Sequence, residues 1–253
     1  MSYVHGKFVW FEHASGNIPK ARAFYESLLG WHTESVLVGT QRYSMIHNNN
    51  EGIGGYCTAE PGERSRWLAY LSVPDVDAAH AAAQGAGGRS LVAPMDFGPV
   101  GRGALVADPT GASFWVWKGA DGDRPERSKT PAGDWYWNEL WTPDDTRALN
   151  FYERLFGYTH DTMDMGEQGT YYVLKKDGVP RAGVVQSVQP KAPPMWLPYL
   201  AVDDCDASAA KAKALGAQVV SGPEDVPGIG RFAILVDPLG AAIAIMKGVP
   251  PTA

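Results

Sequence analysis

Ala23-Phe24-Tyr25-Glu26-Ser27-Leu28-Leu29-Gly30-Trp31 returns later in the same chain as Asn150-Phe151-Tyr152-Glu153-Arg154-Leu155-Phe156-Gly157-Tyr158. Upstream, Phe8-Val9-Trp10-Phe11-Glu12 is answered by Trp135-Tyr136-Trp137-Asn138-Glu139. Downstream, Trp67-Leu68-Ala69-Tyr70-Leu71 is answered by Trp196-Leu197-Pro198-Tyr199-Leu200. From there the register holds to the end: Pro94, Asp96, Gly101-Arg102, Asp108-Pro109, Gly111-Ala112 and Lys118-Gly119 recur as Pro223, Asp225, Gly230-Arg231, Asp237-Pro238, Gly240-Ala241 and Lys247-Gly248. A repeat of that length means two copies of one module, here 1–119 and 135–253. Residues 120–134 between them are charged and broken by Pro and Gly, as a linker is.

Within each copy the opening run reads as a strand, and Ile18 to Leu29 carries apolar residues near the helical period with Pro19 in its first turn. Tyr43 to Ile46 and Ile53 to Cys57 flank the turn signal Asn48 to Gly52. Leu68 to Val73 is a further strand, and Asp75 to Gln84 is an Ala-rich helix. Ala104 to Ala107 and Ser113 to Trp117 form a hairpin across Asp108-Pro109-Thr110-Gly111. The expected class is α+β: each copy holds two βαβββ units, a curved, mostly antiparallel sheet making a cup with helices outside.

The composition sets limits on function. With 253 residues, 45% of them apolar, 20% charged and a net charge of −6, the chain buries a real core and has little attraction for phosphate backbones or anionic lipid. Nucleic acid and membrane partners are not expected. No apolar run approaches a membrane span, and Met1 to Phe11 lacks the pattern of a secretory signal, so a cytoplasmic location is expected. Cys57 and Cys205 sit in unlike contexts and suggest neither a disulfide nor a zinc site. A phosphate loop, a Ser-His-Asp signature and an HExxH are all missing from the sequence.

The two Phe-Tyr-Glu…Gly segments, with Asp108-Pro109-Thr110-Gly111-Ala112 and Asp237-Pro238-Leu239-Gly240-Ala241, resemble the vicinal oxygen chelate superfamily, which includes glyoxalase I, bleomycin-resistance proteins and extradiol dioxygenases. The resemblance covers nearly the whole chain and is nearest to tandem glyoxalase-like proteins of the actinobacterial "hydroxylase" type. It implies a divalent metal held in the cup from the first and last strands of a unit. Those positions fall here on Trp10 and Trp137, and on Trp115 and Ala244, none of which is an ordinary metal ligand. No metal and no other cofactor is therefore expected.

Side chains alternate along a strand, so Glu12 shares a face with Trp10, and Glu139 with Trp137. A pair of carboxylates among indoles repels, raising at least one pKa, which suits a general base; the other reading is support of the wall. Trp10, Trp115, Trp117 and Trp137 offer flat surfaces for a planar ligand, with Tyr43, Tyr171, Tyr70 and Tyr199 as hydrogen-bonding wall residues. Trp67 and Trp196 are expected beneath the helices. Arg102 and Arg231 either clamp an anionic oxygen of the ligand or pair with Asp96 and Asp225. His13 has the opposite parity to Glu12 and is expected to point outward. The expected function is a metal-free protein, monomer or homodimer, that sequesters a planar hydrophobic small molecule. The alternatives are a metal-free lyase or isomerase with Glu12 or Glu139 as base, and, third, a metal-dependent glyoxalase-like enzyme.

Overall fold

In the computed structural model, which describes residues 1–187 and 192–249, the repeat becomes two sheets of eight strands, each with two helices. Residues 188–191 and 250–253 of the expected second module lie outside the described residues. The first sheet comprises β1 (Phe8–Ser15), β2 (His32–Val38), β3 (Gln41–Asn48), β4 (Glu51–Thr58), β5 (Arg66–Ser72), β6 (Arg89–Asp96), β7 (Gly101–Ala107) and β8 (Ser113–Gly119). Helix α1 (Ile18–Leu29) follows β1, and α2 (Val76–Gly85) follows β5. The second sheet comprises β9 (Trp135–Thr142), β10 (Thr159–Asp164), β11 (Thr170–Lys176), β12 (Val179–Gln186), β13 (Met195–Ala201), β14 (Gln218–Val226), β15 (Gly230–Val236) and β16 (Ala242–Gly248). Here α3 (Asp145–Phe156) follows β9, and α4 (Cys205–Ala214) follows β13.

The strand order is β2-β3-β4-β1-β5-β8-β7-β6, and the same in the second sheet. In each βαβββ unit the helix crosses over, so the last strand returns parallel to the first: β1 pairs with β4 and β5 with β8. The remaining pairings are antiparallel, and β1 against β5 joins the units. The result is a curled mixed sheet whose concave side is a cup. Edge strands β2 and β6 left no clear pattern in the sequence because most of their residues are exposed.

Helix ends follow local chemistry. The Asn17 side chain accepts from Lys20 N at 3.0 Å to open α1, and the Asp144 side chain accepts from Arg147 N at 2.9 Å to open α3. Both helices stop at a glycine in the left-handed region, Gly30 (φ 73°) and Gly157 (φ 65°), where a side chain is strained.

Each sheet turns its helix-bearing face toward the other module. Phe11, Tyr25, Trp67 and Phe114 of the first join Leu140, Phe151, Tyr152 and Trp196 of the second in one continuous core. The shared motifs interlock there: Tyr25 OH donates to Asp237 Oδ2 at 3.0 Å, and Tyr152 OH donates to Asp108 Oδ2 at 3.0 Å. Trp67 and Trp196 lie under the helices as expected, donating to the Tyr25 and Tyr152 hydroxyls at 2.9 Å each. His13 does point away from the cup, but into this core rather than outward to solvent. It is fully buried, with Nε2 2.8 Å from Asp237 Oδ2. Burial pushes the Asp237 carboxyl up, but the His13 bond and charge with the backbone N–H groups of Ala241 and Leu239 outweigh it and hold the carboxyl below its ordinary value.

Candidate functional site

Period-two alternation on β1 puts Phe11 and His13 in the core, and Trp10, Glu12 and Ala14 on the concave face. There they meet Tyr43 from β3, Cys57 from β4, Tyr70 from β5, and Trp115 and Trp117 from β8. Trp10 Nε1 donates to the Tyr43 hydroxyl at 3.0 Å, and Tyr70 OH donates to Glu12 Oε2 at 2.9 Å. Tyr70 stacks on Trp115 with centroids 5.4 Å apart and planes 20° apart. Phe97 closes this wall edge-on, 5.5 Å from Trp115 and 5.4 Å from Trp117.

Around these side chains lies a cavity of about 1070 Å³. It runs from the cup along the linker, past Asp121 to Arg127, to Trp135–Asn138 on β9 and to Pro180 and Arg181. The linker is thus a wall of the cavity as well as a connection. It is held in place by ion pairs of Arg127 with Glu51 and Asp134, and of Arg181 with Glu126.

Burial, then the Glu12 charge, keeps the hydroxyls of Tyr43 and Tyr70 protonated far above the ordinary tyrosine range. The same two causes hold Cys57 as a thiol, well above the usual thiol range, so it is no ready nucleophile. The pattern is a carboxylate faced by donors that keep their protons.

The second cup repeats the quartet with other surroundings. Trp137 Nε1 donates to the Tyr171 hydroxyl at 3.0 Å, and Tyr199 OH donates to Glu139 Oε1 at 3.1 Å. Trp141, standing where the first module has Ala14, also donates to Glu139 Oε1, at 2.7 Å. Ala244 and Met246 take the register places of Trp115 and Trp117 beside β5 and β13. Burial raises the Glu139 carboxyl above its ordinary value, more than its Trp141, Tyr171 and Tyr199 bonds lower it. Glu12 and Glu139 thus lie in different cups, and the expected repulsion of a pair is corrected to separate environments.

Arg102 and Arg231 are not among the residues that line the cavity. Arg102 grips Asp77 at the start of α2 through Nε at 2.8 Å and Nη2 at 2.9 Å, and Asp96 through Nη1 at 2.9 Å. Arg231 does the same with Asp206 on α4, at 2.7 and 2.9 Å, and with Asp225 at 3.1 Å. Of the two expected readings, the pairing with Asp96 and Asp225 is the one found, with Asp77 and Asp206 as further partners, and the anion clamp is corrected: these guanidinium donors tie a hairpin to a helix. Phe97, Met45 and the linker residues were missed by sequence reasoning. Phe97 alone left a signal, an aromatic residue between a strand and the Gly98-Pro99 turn.

Two family models match the chain: the glyoxalase/bleomycin resistance protein/dioxygenase superfamily over residues 7–116, and a glyoxalase-like domain over residues 139–246. "Putative glyoxylase CFP32" of Mycobacterium tuberculosis is 36% identical over 254 residues, spanning 98% of this chain and 97% of that protein. "Anthracycline biosynthesis protein DnrV" of Streptomyces peucetius is 30% identical, spanning 97% of this chain and 94% of that protein. In fold, the chain is similar to the Mn(II)-bound glyoxalase from Novosphingobium aromaticivorans, with a TM-score of 0.68, 17% identity, and coverage of 97% of this chain and 83% of that one.

The metal that such a family implies does not fit the first cup. Indoles of Trp10 and Trp115 stand at the ligand positions, and the nearest donors are one carboxylate, two protonated phenols and a protonated thiol. Among the described residues, the cup contains no three His, Cys, Asp or Glu side chains whose ligand atoms converge.

Proposed function

The chain belongs to the glyoxalase/bleomycin resistance protein/dioxygenase superfamily as two such domains in tandem, and from that premise we propose that its first cup binds a planar, conjugated small molecule without a metal ion in the cup. The observation that carries this reading is the aromatic wall of Trp10, Tyr70, Phe97, Trp115 and Trp117 around the Glu12 carboxylate. Flat rings gain most from offset or edge contact with other rings, and a cavity of about 1070 Å³ takes a molecule of several fused rings. Glu12, Tyr43 and Tyr70 supply a few polar groups that orient a hydroxyl or carbonyl on its rim. A relative named for anthracycline biosynthesis supports the same ligand class.

The test is quenching of tryptophan fluorescence by a polycyclic aromatic quinone, compared with a straight-chain carboxylic acid of equal mass. Saturable quenching by the quinone is expected, with Trp10→Ala weakening binding by about 10–100-fold, the ~1–3 kcal/mol of a lost aromatic contact. Trp141→Phe in the other cup leaves the affinity unchanged. Equal affinity in Trp10→Ala and wild type, with folding intact, defeats the reading.

A second reading rests on the place of Glu12 in the cavity. As a base it takes a proton from the carbon next to a bound carbonyl, leaving an enolate whose oxygen accepts from a wall hydroxyl; it then returns the proton to a neighbouring carbon to complete an isomerisation, or hands it to a group that the collapsing enolate expels from the β-carbon in an elimination. Deuterium exchange at that carbon, lost by about 100-fold or more in Glu12→Gln while affinity holds, supports catalysis. Exchange unchanged in the variant excludes it.

A further inference from the structure

Among the described residues, one convergence of nitrogen and carboxylate ligands lies outside the cavity lining. On the outermost strand β2, His32 and Glu34 are two residues apart and share a face. His47 on β3 lies directly opposite His32 in the antiparallel register. The two imidazoles stack at 5.0 Å between centroids with planes 15° apart, and His32 Nε2 is 3.5 Å from Glu34 Oε1. One ligand atom from each of the three side chains lies within 4.8 Å of the others. His47 Nδ1 is buried and finds no hydrogen-bond partner among the described residues.

We propose that His32, Glu34 and His47 form a divalent-metal site on the rim of the first sheet, separate from the position the family uses. Two imidazole nitrogens and one carboxylate oxygen select a borderline first-row ion such as Zn²⁺, Ni²⁺ or Co²⁺ over Mg²⁺ or Ca²⁺, which prefer all-oxygen sets. Bonds of about 2.0–2.1 Å to Zn²⁺ put tetrahedral ligand atoms about 3.3 Å apart. The three groups, already within 4.8 Å of one another and at 3.5 Å for His32 and Glu34, reach that spacing by side-chain rotation, because His32 and Glu34 are about half exposed. Three protein ligands leave one position open to water or to an anionic group.

The position gives the ion a structural consequence. Glu34 pairs across with Met45, and Met45, Tyr43, Arg42, Gln41 and Val38 of the same ribbon line the cavity. An ion bridging β2 and β3 staples an edge strand, otherwise paired on one side only, to the ribbon that carries Tyr43.

Tag-free, chelator-stripped full-length protein titrated with zinc chloride in a calorimeter tests this. One ion per chain with micromolar or tighter affinity is expected. His32→Ala and His47→Ala should each weaken it at least tenfold, and Glu34→Gln should weaken it less. Zinc should also slow amide exchange within residues 32–48 of the wild type but not of His32→Ala. His80→Ala, outside the cluster, and Glu12→Gln, in the cup, should bind as the wild type does. No saturable zinc binding, or binding that survives the His32→Ala, His47→Ala double variant, overturns the site. Loss of binding in Glu12→Gln places the ion in the cup and overturns it equally.

Discussion

Glu12 and Glu139 occupy equivalent places in the sequence and unlike places in the molecule. Glu12 keeps a cavity beside it, whereas the Oε1 of Glu139 accepts from both Trp141 and Tyr199. The raised pKa of Glu139 means that its folded form favours the proton more than the unfolded chain does. Its contribution to stability is therefore full below the unfolded carboxylate pKa and is lost as pH rises through the folded value. Glu139→Gln, which stays neutral and still offers an acceptor, should be as stable as the wild type or more so at pH 7, and the difference should shrink at pH 4. Glu139→Ala strands the Trp141 and Tyr199 donors and should cost about 1–3 kcal/mol in urea unfolding. A Gln variant destabilised most at pH 7 would contradict this account. Strand parity made Trp10, Glu12, Trp137 and Glu139 legible as cup residues, because a period of two needs only the local sequence.

At the scale of elements, the tyrosines of the cup walls depend on glycines in the neighbouring strand. The ring of Tyr43 from β3 lies over Gly55 on β4, and the ring of Tyr171 from β11 lies over Gly183 on β12. A methyl group added at either glycine runs into the phenol ring. Gly55→Ala should therefore displace Tyr43, break its bond with Trp10, destabilise the fold by about 1–3 kcal/mol and weaken the planar ligand. Gly183→Ala should carry a similar stability cost and leave ligand affinity nearly unchanged. Thermal unfolding with fluorescence titration on both variants checks the contrast, and equal losses of affinity would refute it. The helices were legible from the helical period of Ile18 to Leu29 with Pro19 in its first turn, from the Ala-rich run after Asp75, and from their recurrence in the second copy. Edge strands β2 and β6 were not, because exposed strands carry no apolar alternation. The His32, Glu34 and His47 cluster was hidden for the same reason, since it exists only once the β2–β3 register is set.

At the scale of the molecule, the two modules share one core and exchange motif partners, so they should unfold together. Calorimetry should give one transition, and two separable transitions would show independent modules. Tyr25→Phe removes a bond to a charged group and the acceptor of Trp67, and should cost about 1.5–3 kcal/mol, as should Tyr152→Phe in the other direction. The depressed pKa of Asp237 contributes stability that is present above the unfolded carboxylate value and lost as pH falls through the lower folded value. Asp237→Asn should accordingly be destabilised at pH 7 and approach the wild type in strong acid, as read from urea midpoints against pH. A constant difference across that range would show that the carboxylate charge is not what matters.

The sequence by itself determined the duplication, the two-unit modules, the main helices and the face of β1 that carries Trp10 and Glu12, because repeats, helical periods and alternation are written in neighbouring residues. Tertiary structure alone decided that Trp141 covers Glu139 while Trp115 and Trp117 wall an open cup around Glu12. It alone turned Arg102 and Arg231 to the helices, laid the linker along the cavity and paired His13 with Asp237. Each of those depends on contacts between segments far apart in the chain, and the distance between two such side chains is set by how the sheets curl and pack, which no local pattern encodes.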